Sequence, residues 1–398
     1  MPMLQQEIVI LGGARTPFGK YCGSLRDLSA TDLAVIAGSE ALRRAEVKPE
    51  EIDHVIFGNV LQSSPDAAYL SRHVGLRCGI PVPVPAYGVN RLCGSGFQAV
   101  VNGAMEILLG QAEEVLVGGT ESMSQAPHSI YGARWGLTLG QSRLEDSLWA
   151  ALTDTYCGCP MAITAENLAQ KYDVGRQETD EFAVRSHVLA AAAQAEGLLK
   201  DEIVPIEIPT KKGPKKIEND EQIRADSTVE ALAKLKPSFL PEGIITAGNA
   251  SGINDGAAAL VLTTLESAQK RSVKPLGKLV AWGVKGVQPE IMGIGPASAA
   301  RDALQKSGLS LTDMDLIEVN EAFAAQYLAV ERELGLPREK TNVNGGAVAL
   351  GHPLGASGAR LTLTILHELR RRGGRYGLAT ACIGGGQGIA LIVEAWQD

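Results

Sequence analysis

An internal repeat constrains the fold of this chain more than any other feature of its sequence. Residues 41–58 align without a gap with residues 303–320, at an offset of 262. Carried forward, the same offset pairs residues in two glycine-rich stretches: Asn90 with His352, Cys93 with Gly355, Ser95 with Ser357, and Gly96 with Gly358. Self-similarity over so long a stretch indicates a duplicated unit. Each half must therefore fold into the same kind of structure.

The repeat breaks in an informative way within the first half. Residues 115–119 correspond to 377–381 at the offset of 262, whereas residues 257–262 resemble 388–393 at an offset of 131. The first half thus carries an insertion of 131 residues between two strands, where the second half has a tight glycine turn after Cys382. The predicted domains are an N-terminal half (1–119 and 251–272), an inserted loop domain (120–250) and a C-terminal half (273–398).

Hydrophobic periodicity places both halves in the α/β class, because short β-branched runs alternate with helical periods. The patterns predict strands at 8–11, 55–57, 115–117, 316–319, 377–381 and 389–393, and helices at 31–45, 97–109, 297–307, 321–334 and 357–371. We expect two duplicated units, each a largely parallel sheet covered by helices. The insertion is predicted to contain helices at 164–171 and 176–196. We interpret its lysine-rich stretch, 210–216, as a solvated hairpin tip rather than an anion or subunit contact.

Composition excludes several classes of protein. A chain of 398 residues exceeds one ordinary core, so two or three domains are expected. The net charge of −8 argues against a general nucleic-acid binder. The first eleven residues lack the pattern of a signal peptide, and no apolar run reaches membrane-spanning length. Six cysteines without a secretory leader indicate a reducing compartment, the cytoplasm or, in a eukaryote, the mitochondrial matrix.

Two of the cysteines, Cys157 and Cys159, form a Cys-Gly-Cys pair, for which a metal site is one interpretation. Neither a second pair nor a histidine lies at the spacing of zinc ligands, so we favour a structural role and predict no metal.

Cys93 is the first candidate for chemistry. It stands before Gly94, Ser95 and Gly96, and apolar residues then recur at the spacing of one helical face. A helix N-terminus favours the reactive thiolate over the thiol, through its free N–H groups and its dipole. The alternative is a small buried thiol beside a helix cap, the usual role of a free cysteine.

A histidine and a second cysteine occupy the other glycine-rich turns. His352 lies on such a turn before Pro353, and an imidazole beside a thiol is the means of nucleophilic acyl transfer. Cys382 in a third turn suits a base for a weak carbon acid, whose enolate needs preorganised donors. Backbone N–H groups of residues 382–384 and the amide of Asn320 are candidate donors. Asn320 has the alternative role of a helix N-cap.

These residues belong to a set of motifs that resembles the thiolase family over nearly the whole chain. The motifs are Asn90-Arg-Leu-Cys-Gly-Ser-Gly, Gly118-Gly-Thr-Glu-Ser-Met-Ser, Gly248-Asn-Ala-Ser-Gly, Asn320-Glu-Ala-Phe-Ala, the block from Asn344 to Gly358, and Cys382-Ile-Gly-Gly-Gly-Gln-Gly. Within the family, the sequence most resembles the mitochondrial-type 3-ketoacyl-CoA thiolases, including Gly58-Asn-Val-Leu-Gln-Ser and Ser147-Leu-Trp.

The resemblance implies a thiolase fold: two half-domains packed back to back in a five-layered αβαβα core, with a loop domain that binds coenzyme A, in a homodimer or homotetramer. It makes Cys93 the acylated nucleophile, His352 its activator and an oxyanion donor, and Cys382 the acid and base at the acetyl carbon. Asn320 would hold a water in the first oxyanion hole. The backbone amides of Cys93 and Gly384 would form the second.

The resemblance also implies residues that bind coenzyme A, which is a substrate here, and it implies no separate cofactor. They are Arg224, Ser227 and Ser251, with Met161, Phe239, Ala247 and Phe323 lining the pantetheine tunnel.

One position departs from a subset of the family. Many acetoacetyl-CoA thiolases have a histidine where this chain has Pro160, just before Met161. The departure favours 3-ketoacyl substrates of broader length, with a biosynthetic acetyl-CoA C-acetyltransferase as the alternative. Two rivals remain: an irreversible condensing enzyme, which would not be expected to carry Cys382 as a second acid and base, and a non-catalytic acyl-CoA carrier, which should have lost one of the three reactive residues.

Overall fold

The computed structural model describes residues 6–140, 143–211 and 213–397. The signal-peptide prediction therefore lies partly outside the described residues, as does Lys212 of the lysine-rich stretch. The first half contains β1 (Ile8–Arg15), β2 (Gly19–Lys20), α1 (Ala30–Arg44), β3 (His54–Gly58), α2 (Leu70–Arg77), β4 (Ala86–Val89), α3 (Ser95–Leu108) and β5 (Val115–Ser122).

The insertion follows β5 and consists of short strands and helices. They are β6 (His128–Ser129), β7 (Glu145–Asp146), α4 (Ser147–Ala151), β8 (Thr153–Asp154), β9 (Cys159–Pro160), α5 (Met161–Lys171), α6 (Arg176–Ala195), β10 (Ile206–Ile208), β11 (Lys215–Ile217) and α7 (Val229–Leu232). The strands β10 and β11 form an antiparallel hairpin, and Lys215 and Lys216 of the lysine-rich stretch lie in its second strand.

The chain then returns to the first half and continues into the second. The elements are β12 (Asn254–Thr264), α8 (Leu265–Lys270), β13 (Gly277–Gly286), α9 (Gly295–Ser307), β14 (Leu316–Val319), α10 (Ala324–Leu334), α11 (Ala347–Leu350), α12 (Ser357–Arg372), β15 (Tyr376–Ile383) and β16 (Gln387–Ala395). The starts of α3 and α12 differ by the offset of 262 found in the sequence.

Local sequence explains where the long helices begin and end. Ser29 and Asp32 form a reciprocal capping box at the start of α1, and two arginines in its last turn complement the helix dipole. Helix α12 carries three arginines in its last turn and stops at Gly373, whose φ of 68° favours glycine.

The sheet is mixed, so the prediction of a largely parallel sheet is wrong. Its strand order is β14-β15-β16-β13-β1-β12-β5-β3-β4. Among these neighbours β3–β4, β3–β5 and β14–β15 are parallel, and the other pairs along this order are antiparallel. The reason lies in the connection: a tight turn joins β15 to β16, and strands joined so closely can only be antiparallel. The equivalent strands β1 and β13 pair where the halves meet.

Alternate residues of the strands are buried on opposite faces, which gives the five layers. Ile8, Ile10 and Leu260 pack on the central layer of α3 and α12, together with apolar residues of β15 and β16. Val9 and Val261 face the other way, onto α1 and α2. Alternate residues of the second half face α9 and α10 in the same manner. This arrangement follows from the two-residue period of a strand that is buried on both sides.

A fully buried ion-pair network connects the insertion to β1. The Arg15 Nε atom lies 2.7 Å from Glu202, and its two terminal nitrogens lie 2.7 and 2.9 Å from the two oxygens of Asp220. Because removing one partner of a buried pair leaves an uncompensated charge, this network fixes the insertion against the core.

Candidate active site

A strained loop presents Cys93 just before α3. Leu92, the preceding residue, has a φ of 46°, an uncommon value for a residue other than glycine. Its N–H donates to Asn90 Oδ1 at 3.0 Å. The Ser95 hydroxyl accepts from the N–H of Arg91 at 2.9 Å and donates to the carbonyl of Leu92 at 2.7 Å. Hydrogen bonds from the side chains of Asn90 and Ser95 therefore stabilise the strained conformation of Leu92, and this conformation sets the orientation of the neighbouring Cys93.

Two glycines related by the repeat let the starts of α3 and α12 touch. A Cβ on Gly96 would lie 2.7 Å from the backbone nitrogen of Ala359, and one on Gly358 would lie 2.2 Å from that of Phe97. Neither position has room for a larger residue. The contact brings the segments before the two helices to a common cavity.

That cavity has a volume of about 260 Å³ and mostly apolar walls. Cys93 and His352 both line it. Of the residues expected to bind coenzyme A, five line the same cavity: Met161, Phe239, Ala247, Ser251 and Phe323. Arg224 and Ser227 are not on its wall, and Arg224 is exposed on the loop before α7.

Hydrogen bonds fix the tautomer of His352. Its Nδ1 atom lies 2.6 Å from the hydroxyl of Ser357, and that hydroxyl donates its single proton to the carbonyl of Pro353 at 2.8 Å. The hydroxyl must therefore accept from Nδ1–H, which leaves Nε2 unprotonated. Burial and the charge of Arg360 lower the pKa of His352 to about 3. At neutral pH the imidazole is uncharged and Nε2 can accept a proton.

Asn320 lies behind the imidazole. Its amide nitrogen is 3.3 Å from Nε2 of His352, and its Oδ1 atom is buried with no hydrogen-bond partner among the described residues. The N-cap alternative is wrong, because α10 begins at Ala324 and Phe323 occupies the cap position. Instead, the backbone N–H of Asn320 continues the sheet by donating to Thr380 at 2.9 Å.

The Cys93 sulfur is a thiol at neutral pH, contrary to the expectation from its place before a helix. Burial raises its pKa to about 11. The N–H groups of Gly384 and of Cys93 itself act in the opposite direction, and the charge of Glu121 raises the pKa further. Desolvation of a thiolate in this apolar cavity outweighs the favourable dipoles. The thiol therefore needs a base, and the cavity contains one in His352.

Cys382 is the residue before the last of β15, and it lies behind the side chains that line the cavity. It has no exposed surface and packs against the cavity-lining side chains of Met161, Met292 and Phe323. Burial, followed by the charge of Cys93, raises the pKa of Cys382 well above its usual range, which places the two sulfurs within electrostatic reach. The structure thus brings together the three reactive residues predicted from the sequence.

A buried carboxylate that the sequence reasoning missed joins the two halves at the site. Glu121 accepts from the Asn59 side chain and from the N–H groups of Val60, Leu61 and Gly355, at 2.9 to 3.1 Å. Burial raises the pKa of Glu121 to about 7. Because every partner is a donor, only the ionised carboxylate satisfies all of them. Its presence in the Gly118-Gly-Thr-Glu motif was the available signal.

Two further positioning residues were also missed. Asn254 accepts from the backbone N–H of His352 at 3.0 Å and donates to the carbonyl of Gly19 at 3.0 Å. Ser357 orients the imidazole, and its pairing with Ser95 in the repeat could have indicated a role. Among the described residues, no group of three or more His, Cys, Asp or Glu side chains could hold a metal ion. No helix in the described ranges is long and apolar enough to cross a membrane.

Comparison with known proteins finds two family profiles that together span nearly the whole chain. Residues 8–266 match the family profile described as "Thiolase, N-terminal domain", and residues 273–395 match "Thiolase, C-terminal domain". The chain is 55% identical to human "3-ketoacyl-CoA thiolase, mitochondrial", over 98% of this chain and 99% of that protein. It is 48% identical to the "Acetyl-CoA acetyltransferase" of Syntrophomonas wolfei, over 98% of this chain and 100% of that protein.

Among solved structures, human mitochondrial 3-ketoacyl-CoA thiolase in complex with CoA matches with a TM-score of 0.97 and 53% identity, covering 99% of both chains. The predicted thiolase fold is confirmed.

Proposed function

The chain belongs to the thiolase family, and from this premise we propose that it cleaves 3-ketoacyl-CoA with coenzyme A to acetyl-CoA and a shortened acyl-CoA. The reverse reaction is a Claisen condensation. One observation carries the proposal: a neutral imidazole and a buried thiol share an apolar cavity, with a second thiol within electrostatic reach of the first. An acyl-transfer enzyme needs the first two groups, and the third adds carbon acid chemistry.

In the first step, Nε2 of His352 takes the Cys93 proton as the sulfur attacks the 3-keto carbonyl. The bond between C2 and C3 breaks, the acyl group stays on Cys93 as a thioester, and the electron pair passes to the acetyl-CoA carbanion. Cys382 donates its proton to that carbanion and releases acetyl-CoA. The Cys382 thiolate then takes the proton of incoming coenzyme A, whose sulfur attacks the acyl-enzyme. Cys93 leaves as a thiolate and takes back the proton that His352 holds, which restores the enzyme.

We assign the oxyanion holes from the contacts around the two sulfurs. The N–H groups of Gly384 and of Cys93 itself act to lower the pKa of the Cys93 thiol, so they favour negative charge at this sulfur. We propose that they stabilise the carbonyl oxygen of an acylated Cys93. For the enolate oxygen we propose protonated His352, with a water held by the amide of Asn320. The thiols, imidazole and amides supply all of this chemistry, so we propose no metal or redox cofactor.

We propose that the pantetheine arm of coenzyme A occupies the cavity between Met161, Phe239, Ala247, Ser251 and Phe323. Trp149 stacks on Phe239 at the mouth, with ring centroids 6.4 Å apart. Arg224 and Ser227 lie outside this cavity, and we propose them as contacts of the nucleotide end of coenzyme A, because that end must remain outside an apolar tunnel.

A biosynthetic acetyl-CoA C-acetyltransferase is the second candidate, supported by the Syntrophomonas relative. Pro160 lines the cavity where many short-chain enzymes have histidine, which favours the broader substrate range. Rates of thiolysis measured across short to long 3-ketoacyl-CoA substrates decide between the two. Activity confined to acetoacetyl-CoA would refute the broader assignment.

Cys93→Ser tests the reaction itself. We expect this variant to bind acyl-CoA but to form no covalent acyl-enzyme, as measured by intact mass after mixing with substrate. Acylation at the active site of Cys93→Ser would overturn the mechanism. Cys382→Ser should lose thiolysis. That loss separates the thiolase from an irreversible condensing enzyme, because only thiolysis requires a second acid and base. A non-catalytic carrier would show no thiolysis in the unmodified protein.

For assembly, we propose a homodimer or homotetramer in which the insertion contacts a second copy. Large apolar side chains of the insertion are exposed, including Tyr131, Trp135 and Leu139. Patches of this kind mark association sites. Light scattering measures the mass, and a monomer would refute the proposal.

The expectation of a cytoplasmic location has no support from the mammalian relatives, whose names place them in mitochondria. We propose the mitochondrial matrix for a eukaryotic source.

A further inference from the structure

A hairpin beside the cavity carries two thiols that the proposed reaction does not use. Cys157 lies in the turn between β8 and β9, and Cys159 begins β9. Gly158 between them has a φ of 68°, a left-handed conformation that folds the chain back on itself. A disulfide needs its Cα atoms about 4.4–6.8 Å apart, and a folded three-residue segment brings its ends into that range.

The Cys159 thiol turns back onto the backbone of Cys157. It donates to the carbonyl of Cys157 at 3.5 Å. The Cys157 thiol is 4.0 Å from the carbonyl of Asp154. Both thiols therefore lie two residues apart on the short hairpin that β8 and β9 form.

Exposure separates this pair from the reactive residues of the cavity. Cys157 and Cys159 are both half-exposed, whereas Cys93 and Cys382 are buried. A small oxidant in solution therefore reaches the hairpin thiols before it reaches the buried ones. Cys22 is also exposed but lies outside the hairpin, so it serves as a comparison for an accessible thiol that is not part of the pair.

The hairpin leads directly into the wall of the cavity. Pro160 and Met161, the two residues after Cys159, line it, and the N–H of Met161 is bonded to the carbonyl of Leu152, another wall residue, at 2.9 Å. Met161 also packs closely on Gly384, because a Cβ built on that glycine would lie 3.3 Å from the Met161 sulfur. A change in the geometry of β9 is thus passed to the coenzyme A side of the cavity within two residues.

We propose that Cys157 and Cys159 form an oxidative modification site, in which hydrogen peroxide converts the pair to a disulfide that narrows access for coenzyme A. One thiol loses its proton, and its sulfur attacks a peroxide oxygen. The O–O bond breaks, the sulfur becomes a sulfenic acid, and the hydroxide that leaves takes up the proton as water. The second thiol attacks that sulfur, the S–O bond breaks, and another water leaves. The pair loses two protons and two electrons, and these reduce the peroxide to two waters. A small, strained ring is readily reduced, so a dithiol reagent restores the thiols.

Peptide mapping of the purified full-length protein tests the site, because it needs no catalysis and so does not depend on the proposed function. The protein is treated with limiting hydrogen peroxide, and its remaining thiols are alkylated before digestion. We expect the disulfide within the peptide that contains Cys157 and Cys159 at doses where Cys93 is still alkylated. Earlier oxidation of Cys93 or Cys382, or a Cys157 sulfenic acid that persists beside a free Cys159, would overturn the proposal.

The effect on the cavity rests on the proposed function and is measured by steady-state thiolysis. Oxidation should raise the KM for coenzyme A by at least about threefold with kcat unchanged, and dithiothreitol should reverse it. Cys157→Ser and Cys159→Ser should abolish the response, and Cys22→Ser, the matched control, should retain it. An oxidised protein with unchanged KM, or a response that disappears with Cys22→Ser, would overturn the link between hairpin and cavity.

Discussion

Ser357→Ala should slow the acylation of Cys93 by removing the group that fixes the tautomer of His352. In the present structure Nδ1–H donates to the Ser357 hydroxyl at 2.6 Å, which keeps Nε2 free to accept a proton. Without that acceptor, a buried Nδ1–H is left unsatisfied. The tautomer with the proton on Nε2 is then no longer disfavoured, and in that form the imidazole cannot take the Cys93 proton.

The size of the effect follows from the cost of an unsatisfied buried donor, about 1–3 kcal/mol. If the whole cost appears in the transition state, the acylation rate falls by about 5-fold to about 150-fold. The assay is single-turnover acylation of Cys93 by acyl-CoA, followed by intact mass, together with kcat and KM for thiolysis. The loss should appear in the acylation rate and kcat, because Ser357 does not line the cavity and leaves the KM for coenzyme A unchanged.

Thr362→Val is the matched control for this experiment. Thr362 lies on the same helix and is equally buried, and its hydroxyl also donates to the carbonyl four residues before it, that of Gly358, at 2.9 Å. It makes no contact with His352. The reasoning is refuted if Ser357→Ala acylates within about twofold of the unmodified protein, or if Thr362→Val loses as much activity.

Three further predictions concern stability, each measured by urea unfolding. Burial lowers the pKa of His187 to about 4, so between about pH 6.5 and 4 the unfolded state binds a proton that the folded state does not. The free energy of unfolding should therefore fall by as much as about 3 kcal/mol as the pH drops through this window, and His187→Gln should reduce that dependence on pH. Gly96→Ala should cost about 1–3 kcal/mol or more by clashing with α12, whereas Gly175→Ala, which meets open space, should stay within about 1 kcal/mol; equal effects would refute the packing argument. Glu121→Gln should cost about 1–3 kcal/mol, because its amide faces N–H donors, and an unchanged stability would contradict the ionised assignment.

The sequence allowed the duplicated architecture to be predicted, because the repeat preserves the spacing of elements. The short helical turns at Pro49–Glu51 and Leu311–Asp313 differ by the predicted offset. The directions of the strands were predicted wrongly. A β-branched run has the same sequence pattern in a parallel and in an antiparallel sheet, so only the length of the connection between two strands distinguishes them. The turn between Cys382 and β16 is short enough to require an antiparallel pair.

Within the site, sequence motifs predicted the three candidate residues that the structure brings together, but not their electrostatics. A helix start predicted a thiolate at Cys93, yet the pKa rises because residues distant in sequence bury the sulfur. Glu121 illustrates the same limit: its donors include Gly355, 234 residues away. Contacts between halves depend on how the two units pack, and no local pattern encodes that packing.

The protonation states at rest follow from burial and have a consequence for reactivity. With the pKa of Cys93 raised to about 11 and that of His352 lowered to about 3, neither group is charged near neutral pH. Burial penalises both the thiolate and the imidazolium. Proton transfer between Cys93 and His352 therefore occurs only when a substrate carbonyl is in place and its developing negative charge is stabilised by the backbone N–H groups. The site therefore contains thiols. Burial also raises the pKa of Cys157 to about 11, so exposure and not protonation distinguishes the hairpin pair from Cys93. Solution oxidants reach the half-exposed Cys157 and Cys159 first, and these residues directly precede Pro160 and Met161 of the cavity wall.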